Sequence, residues 1–152
     1  MTRFERWLEE RGLEFEVRCY PAGVRTAPEA ARSIGVKVGQ IVKSLVFRID
    51  ELPVLVLMSG ENRLDPRRLE DLAGGRVERA DPEAVREVTG YAIGGVPPFG
   101  HVRRLATYMD RDLLRYDVVW AAAGRPDAAF AITPSRLVEL TGARLAELRA
   151  EP

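Results

Sequence analysis

The sequence has few of the residues from which metal sites and nucleophilic sites are built. Its 152 residues include one cysteine and one histidine. Zinc sites draw four ligands mainly from these two residue types, and no run of alternating aspartates resembles a calcium loop, so we expect no metal. The lone Cys19 has no partner for an internal disulfide, which agrees with a reducing compartment.

Long apolar runs and a charge imbalance are also absent. The longest apolar stretches are the length of strands, well short of the ~20 residues that cross a bilayer. The charged amino terminus contains no apolar signal-peptide core. Basic and acidic residues number 23 each, so no global positive field holds long nucleic acid non-specifically. We expect a cytoplasmic protein that does not bind membranes and whose nucleic-acid contacts are local; the pattern does not indicate an oligomeric state.

Motifs for nucleotide hydrolysis and dinucleotide redox chemistry are missing as well. The chain has no Gly-x-Ser-x-Gly elbow, no phosphate loop ending in Gly-Lys-Ser or Gly-Lys-Thr, and no Gly-x-Gly-x-x-Gly turn after a strand. We therefore expect no cofactor. Carboxylates stand mostly at helix caps and on polar helix faces, and Asp110, directly after an apolar strand, is the exception.

Periodicity and capping residues predict short helices interleaved irregularly with strands. This order is typical of an α+β protein with a mixed sheet, here one domain over residues 1–152. In residues 13–20, alternation places Cys19 on the buried face of a strand. The predicted helices are 2–11, 26–35, 65–74, 81–88 and 133–142, and the predicted strands are 13–20, 41–49, 53–58, one near 77, 105–109, 118–122 and 129–132. Residues 145–148 are expected to be either a strand or a helix remnant.

Residues 90–101 stand out by composition. They read Gly-Tyr-Ala-Ile-Gly-Gly-Val-Pro-Pro-Phe-Gly-His and include the only histidine. Glycine allows positive φ and close approach of a ligand to the backbone, and proline fixes φ and removes an amide donor. The segment is typical of a rigid backbone wall facing a small molecule, although a long turn between two elements explains it equally well.

Lysine is rare in this chain. Of the 23 basic residues, only Lys37 and Lys43 are lysines. Lys37 lies in a polar turn, where a solvated charge is the expected role. Lys43 lies early in an apolar strand, and a compact ammonium there suits a tight site that a planar guanidinium does not fit. An ammonium together with backbone amides suits an anionic or carbonyl-bearing ligand.

Two motifs resemble those of the YbaK and prolyl-tRNA synthetase-associated editing domains. Ile-Val-Lys-Ser-Leu-Val-Phe at 41–47 is similar to the family's Lys-Thr/Ser-Leu strand motif, with Ser44 in place of the more frequent threonine. Residues 90–101 resemble its Gly-Tyr and Gly-Gly-x-x-Pro-x-Gly signature. Thr26, Asp110 and Gly124 also stand in the matching order, so the resemblance covers nearly the whole chain.

The resemblance implies a fold and an activity. The implied fold is a strongly curved mixed β-sheet, a partial barrel, surrounded by short helices. The implied activity is trans-editing, in which the ester of a small amino acid mischarged on tRNA is hydrolysed. The implied partners are the acceptor end of an aminoacyl-tRNA, with tRNA-Pro carrying alanine, cysteine or serine as the expected substrate, and prolyl-tRNA synthetase.

The resemblance also implies residue roles. Lys43 would hold the phosphate or ester end of the terminal adenosine. The backbone amides of Gly94, Gly95 and Val96 would stabilise the oxyanion, and the neighbouring ribose hydroxyl would position the water. The expected substrate-binding residues are Thr26, Val46, Ile93, Pro97, Pro98, Phe99, Gly100 and Asp110.

Two questions stay open at this point. His101 either acts on the substrate, as a contact or as a base with a pKa near neutrality, or only closes the loop by bonding a carbonyl. The chain itself is either a deacylase, a module that binds the tRNA acceptor end without cleaving it, or a hydrolase of another small acyl ester. The absence of a synthetase core favours a free-standing protein.

Overall fold

A computed structural model describes the whole chain, residues 1–152. Five α-helices and eight strands alternate irregularly, as the pattern predicts, and 3₁₀ helices cover Val38–Gln40 and Arg111–Arg115. The α+β class is therefore confirmed. The helices are α1 Arg3–Glu10, α2 Ala27–Ile34, α3 Pro66–Ala73, α4 Pro82–Thr89 and α5 Pro134–Thr141, and the strands are β1 Val17–Cys19, β2 Val42–Ile49, β3 Leu52–Ser59, β4 Val77–Arg79, β5 Ala106–Asp110, β6 Val119–Ala122, β7 Ala128–Ile132 and β8 Arg144–Ala146.

Local capping explains why the helices begin where they do. At α2 the Thr26 hydroxyl accepts from the Glu29 amide, and the Glu29 carboxylate accepts from the Thr26 amide. This reciprocal capping box satisfies two amides that the helix leaves unpaired. The same carboxylate accepts from the Thr26 hydroxyl, and these hydrogen bonds lower the pKa of Glu29. Thr26 is thereby fixed at the start of a helix.

The strands form two sheets. A five-stranded mixed sheet has the order β4-β2-β3-β5-β8, and a three-stranded antiparallel sheet has the order β1-β7-β6. One isolated bridge between Ile41 and Trp120 joins them. The curved single sheet that the resemblance implies is thus divided, because outside its own sheet β6 pairs only with Ile41, directly before β2, and not with β2 itself.

The β2–β3 hairpin is the longest pairing in the molecule. It runs in full register from Val42 opposite Ser59 to Ile49 opposite Leu52. Asp50 and Glu51 form the turn with φ of 49° and 73°. Two successive positive φ values define a turn whose twist matches that of the strands. The hairpin places Lys43 near the end that is distant from this turn.

The core consists of three buried clusters. The largest lies between the two sheets and includes Val46, Val96, Phe99 and Phe130. A second cluster lies between the other face of the five-stranded sheet and α3, and the third packs α2 against the three-stranded sheet. Residues 97–100 are buried in this core.

The prediction that Cys19 is a core thiol was wrong. Cys19 is exposed, and Val17 in the same strand is 50% exposed. Strand β1 lies at the edge of its sheet, and all three of its residues are exposed, so no other element covers the face that carries Val17 and Cys19. Phe15, just before β1, is the side chain that reaches the core, with its ring centroid 5.1 Å from that of Phe130.

The helices of the structure are all short. None has the length and apolar character that a membrane-spanning segment needs.

Candidate active site

A cleft opens where the two sheets separate, beside the Ile41–Trp120 bridge. Its volume is about 810 Å³, within the range of small-molecule sites. Strand β2, helix α2, strands β6 and β7 and the loop before Pro97 all contribute. The lining residues are Tyr20, Val24, Arg25, Thr26, Ala27, Ala30, Ile41, Val42, Lys43, Ser44, Leu45, Ile93, Gly94, Val96, Trp120, Ala122, Pro126 and Ala128.

Lys43 is the one lysine in the cleft. Its half-buried ammonium donates to the main-chain carbonyl of Asn62. The Asn62 side-chain nitrogen in turn donates to Asp110 at 2.9 Å and to Asp112 at 2.8 Å. Two carboxylates therefore fix the residue whose carbonyl orients Lys43.

The charge environment of Lys43 is mixed. Burial lowers its pKa, the Asp110 carboxylate raises it, and the Arg63 guanidinium lowers it again. Burial disfavours the charged form because water is removed from the ammonium. The carboxylate of Asp110 offsets part of that cost at a site that is partly shielded from solvent.

Asp110 lies behind this arrangement and outside the cleft lining. It is 1% exposed, and it accepts hydrogen bonds from the Ser59 amide at 3.0 Å and the Asp112 amide at 3.0 Å, in addition to Asn62. A buried carboxylate with several donors is a structural anchor. The expected substrate contact is replaced by a positioning contact through Asn62.

Ser44 lies at a free edge of strand β2. The Val46 carbonyl accepts from Ala80, and the Asp50 amide donates to Arg76, so the even-numbered residues direct their backbone groups toward β4. Because antiparallel pairs alternate, Ser44 points its amide and carbonyl the same way. Strand β4 pairs only with residues 47–49, so Ser44 lies beyond its reach. The Ser44 hydroxyl is buried without a hydrogen-bond partner.

The glycine loop forms another wall of the cleft through Ile93, Gly94 and Val96. Gly94 has φ of 88°, a left-handed conformation that glycine adopts readily. A Cβ on Gly95 would lie 2.9 Å from the carbonyl carbon of Arg125, so this glycine allows two backbones to touch. The loop is held against the turn that follows Gly124.

The three amides expected to stabilise an oxyanion differ in their bonding. The Gly95 amide donates to the Ala92 carbonyl at 2.9 Å. The amides of Gly94 and Val96 have no hydrogen-bond partner in the chain, although Val96 is only 3% exposed. Gly94 is exposed, whereas an unpaired amide on a buried residue such as Val96 is rare in proteins and calls for an explanation.

Thr26 lies in the cleft, but its hydroxyl is engaged in the capping box of α2. Val46, Pro97, Pro98, Phe99 and Gly100 do not line the cleft. Phe99 is 4% exposed and its ring lies within 6.2 Å of four other aromatic rings, centroid to centroid. These five residues support the cleft wall from the core side.

His101 closes the loop. Its Nε2 lies 2.7 Å from the Pro97 carbonyl oxygen, and its ring meets that of Tyr91 edge to face. A carbonyl only accepts, so Nε2 carries the proton. Burial lowers the pKa of His101, and the hydrogen bond to Pro97 raises it. His101 lies outside the cleft, in the arrangement of the loop-closing alternative.

Several cleft residues were missed by sequence reasoning. Tyr20 and Trp120 both line the cleft, and burial raises the pKa of Tyr20. Trp120 lies within an apolar pattern that is typical of a core strand, and Tyr20 is the last residue of the predicted strand 13–20. Their aromatic type was the only available signal, because the chain brings them together over about a hundred residues. The structure also contains no group of three metal-ligating side chains that could hold an ion.

Comparison with known proteins identifies the family. Residues 21–140 match the model of the aminoacyl-tRNA editing domain. A solved structure described as a "putative trans-editing enzyme for prolyl tRNA synthetase" is 51% identical with a TM-score of 0.93, over 98% of this chain and 96% of that one.

Curated relatives agree with this match. YwhH of Bacillus subtilis is 33% identical over 92% of this chain and 87% of its own length. The "Putative Cys-tRNA(Pro)/Cys-tRNA(Cys) deacylase EbsC" of Enterococcus faecalis is 28% identical over 81% of this chain and 76% of its own. A proline–tRNA ligase of Maridesulfovibrio salexigens is 34% identical over 69% of this chain, which covers 18% of the ligase.

The cleft, the strand that carries Lys43 and the glycine loop all lie within or beside the matched residues 21–140. The chain therefore belongs to the aminoacyl-tRNA editing domain family, whose members hydrolyse mischarged aminoacyl-tRNA and are related to domains of prolyl-tRNA synthetase.

Proposed function

We propose that this chain, acting as one editing domain over residues 1–152, removes a small amino acid from mischarged tRNA-Pro. Alanine, cysteine and serine are the candidate amino acids. The observation that carries the proposal is the cleft itself, where Lys43, Gly94 and Val96 line one cavity and the amides of the two loop residues have no partner in the chain. Family membership and the relatives' names support the same substrate class.

The size and lining of the cleft suit this substrate. A volume of about 810 Å³ exceeds what one small amino acid needs and leaves room for the terminal nucleoside. A synthetase site shaped for proline cannot exclude a smaller side chain, since a missing methylene is worth only ~1–3 kcal/mol. A separate pocket must then sort the products, and the apolar groups of Ile41, Trp120 and Ala128 supply one wall for the side chain.

The proposed reaction is a direct hydrolysis. Water attacks the ester carbonyl carbon, the bond from that carbon to the ribose oxygen breaks, and the ribose oxygen receives the proton. The products are the free amino acid and tRNA with its terminal hydroxyl restored. The neighbouring ribose hydroxyl positions the water, since no side-chain base lines the cleft close to Lys43.

Each group in the cleft has a proposed part in this reaction. The Gly94 and Val96 amides donate to the oxyanion, and Gly95 holds the turn that presents them. Lys43 binds the phosphate or ester end of the terminal adenosine. The Ser44 carbonyl, at the free edge of β2, supplies an acceptor for the ammonium of the substrate. Asp110 acts through Asn62 and so positions Lys43.

Hydrolysis of mischarged tRNA by the purified protein tests the proposal. The substrates are tRNA-Pro carrying alanine, cysteine, serine or proline, each compared with its spontaneous loss. We expect release of one or more of the small amino acids and retention of proline. Absence of release from every mischarged tRNA would reject the proposed function and favour the acceptor-end binding module.

The Lys43→Ala variant tests the site within the same assay. We expect kcat/KM to fall by about 10²–10³-fold, the usual cost of removing one electrostatic interaction with the transition state. Lys37→Ala is the matched control, because Lys37 is exposed and is the only other lysine. An unchanged thermal unfolding midpoint for Lys43→Ala shows that the fold is intact. Equal rates for the two variants would remove Lys43 from the mechanism.

A further inference from the structure

A second groove lies on the other side of the glycine loop. It has a volume of about 270 Å³ and is lined by the end of the loop, α1, β5 and α5. Its polar lining is basic or neutral, and no aspartate or glutamate contributes. These polar residues are Arg11, His101, Arg103, Arg104, Thr107 and Thr141.

The arginines of this groove are free of strong ion pairs. Arg103 and Arg104 are exposed and form no salt bridge. Arg11 lies 3.8 Å from the exposed Glu10 and stacks 3.9 Å from the centre of the Trp7 ring. Arg68, by contrast, contacts three carboxylates. In a chain with no net charge, the groove is a local concentration of unneutralised positive charge.

This lining matches the chemistry of a phosphate group. Guanidinium groups bind phosphate oxygens through two parallel hydrogen bonds, and no carboxylate in the groove competes for them. The threonine hydroxyls donate to main-chain carbonyls of Leu105 and Leu137, so recognition falls to the arginines. Exposed arginines suit an extended polyanion more than an enclosed small anion.

The same loop contributes residues to both the groove and the cleft. Val96 lines the cleft, and Pro98, two residues further, lines the groove. Their Cα atoms are therefore at most ~7 Å apart. Between them the backbone is buried and held by the hydrogen bond from His101 to Pro97. A ligand bound in the groove thus lies against the segment that presents the Val96 amide.

We propose that this arginine groove binds a backbone phosphate of the tRNA whose terminal ester occupies the cleft, an inference that rests on the proposed function. The groove differs from the sites of other exposed arginines in that three arginines line one concave surface without a carboxylate. It recognises the phosphate and not the bases, so its contribution is independent of tRNA sequence.

Removal of two charges tests the groove. The variant is Arg103→Ala with Arg104→Ala, and the control is Arg67→Ala with Arg86→Ala, two exposed unpaired arginines on α3 and α4. Affinity for uncharged tRNA is measured by fluorescence anisotropy over a salt series. We expect the groove variant to bind about tenfold more weakly at low salt, and its salt slope to fall by about one for each phosphate that it no longer binds. The control should bind as the wild-type protein does.

Deacylation kinetics separate this inference from the proposed function. With mischarged tRNA, the KM of the groove variant should be higher than that of the wild-type protein, while kcat changes little. With an aminoacyl ester of adenosine, which carries no phosphate, the KM of the two proteins should be equal. If the wild-type protein hydrolyses mischarged tRNA and the groove variant matches the control in affinity and salt slope, the groove inference is wrong. If no mischarged tRNA is hydrolysed, the proposed function fails, and the binding series still decides the groove.

Titration with inorganic phosphate tests whether the groove binds a free phosphate ion and not the tRNA backbone. The NMR resonances of the His101 ring report occupation of the groove, since His101 is the only histidine. One outcome overturns the proposal: phosphate shifts these resonances in the wild-type protein, but substitution of Arg103 and Arg104 leaves tRNA binding unchanged. The groove is then a site for a free anion. Competition between phosphate and tRNA for the groove supports it.

Discussion

The two halves of the glycine loop differ in what their backbone contacts. In residues 92–96, Ile93 is 59% exposed, and the Gly94 and Val96 amides are unpaired at the cleft. In residues 97–101, Phe99 is 4% exposed, the Tyr91 hydroxyl donates to the Gly100 carbonyl at 2.8 Å, and His101 bonds Pro97. One half has unpaired amides beside the cleft, and the other is fixed by packing and side-chain hydrogen bonds.

This difference explains a composition that looked uniform in the sequence. Open amides are useful only if their direction is fixed before the substrate arrives, because preorganised donors need no rearrangement during the reaction. The buried half supplies that rigidity through packing and side-chain hydrogen bonds. Residues that attract attention in the motif, such as Phe99 and His101, therefore support the site without lining the cleft.

The largest expected effect is a difference between the two halves of the loop in how much a substitution lowers the free energy of unfolding. Phe99→Ala should lower the free energy of unfolding by about 3–5 kcal/mol, the usual cost of deleting a buried aromatic side chain. Ile93→Ala, in the other half, should change it by less than about 0.5 kcal/mol but raise KM, because Ile93 lines the cleft. Chemical denaturation and steady-state kinetics measure both. Should Phe99→Ala not fold, Phe99→Leu keeps the test available with a smaller loss.

A similar stability loss in both variants would contradict the comparison. It would mean that Ile93 is covered in solution, and that the loop does not divide into a buried half and a cleft half.

An intermediate effect is expected where the loop touches the turn at residues 124–127. In Gly95→Ala the new Cβ meets the Arg125 backbone at 2.9 Å and the Pro126 ring at 3.0 Å, so the loop must move. A displacement near 1 Å costs about 10²-fold in rate when it misdirects catalytic donors. We expect kcat to fall by that order in a folded protein, as single-turnover deacylation measures.

Gly74→Ala provides the control for this variant. Gly74 has φ of 76° with no atom within 4 Å of a new Cβ, and it caps α3. The substitution should strain the backbone without moving the cleft. Equal losses of kcat in Gly74→Ala and Gly95→Ala would show that the effect is one of general stability.

The smallest expected effect concerns His101. His101→Gln should lower kcat/KM by less than about fivefold, whereas loss of a general base costs about 10²–10⁴-fold. Burial lowers the pKa of His101, so the unfolded chain binds the proton more tightly than the folded one. The stability contributed by the neutral ring is fully present above the ordinary histidine pKa of about 6.5 and is lost as pH falls through the lower folded value.

Unfolding measured as a function of pH checks this sign. Between about pH 7.5 and pH 5 the wild-type protein should lose stability relative to His101→Gln, which has no titrating group at this position. A wild-type protein that gains stability on acidification relative to the variant would show that His101 is charged in the fold.

Much of the fold was predictable because its signals are local. Thr26 and Glu29 specify the start of α2 within three residues, and Asp50 and Glu51 specify the β2–β3 turn. Cys19 was misplaced for a non-local reason. Alternation shows which residues share a face of a strand, but not whether anything covers that face, and β1 lies at a sheet edge.

The residues of the candidate site also differ in whether a local sequence signal predicts them. Lys43 and residues 94–96 stand out by rarity and composition, and the structure brings Lys43, Gly94 and Val96 into one cleft, without Gly95. Val46 and Asp110 were expected to bind substrate, but Val46 belongs to the core and Asp110 is buried in hydrogen bonds with Ser59, Asn62 and Asp112. Tyr20, Trp120 and Ala128 carry no local signal, because they meet only through the packing of α2 and the three-stranded sheet against β2.

By itself, the sequence determined the capped helices, the hairpin and the family motifs that carry the proposed ester-binding residues, since each depends on interactions among neighbours in the chain. The tertiary structure alone decided which of those residues face the cleft, that the Gly95 amide is already bonded while those of Gly94 and Val96 are not, and that unpaired arginines gather behind the loop. These depend on where the two sheets separate, and that position is set by contacts between residues far apart in the sequence.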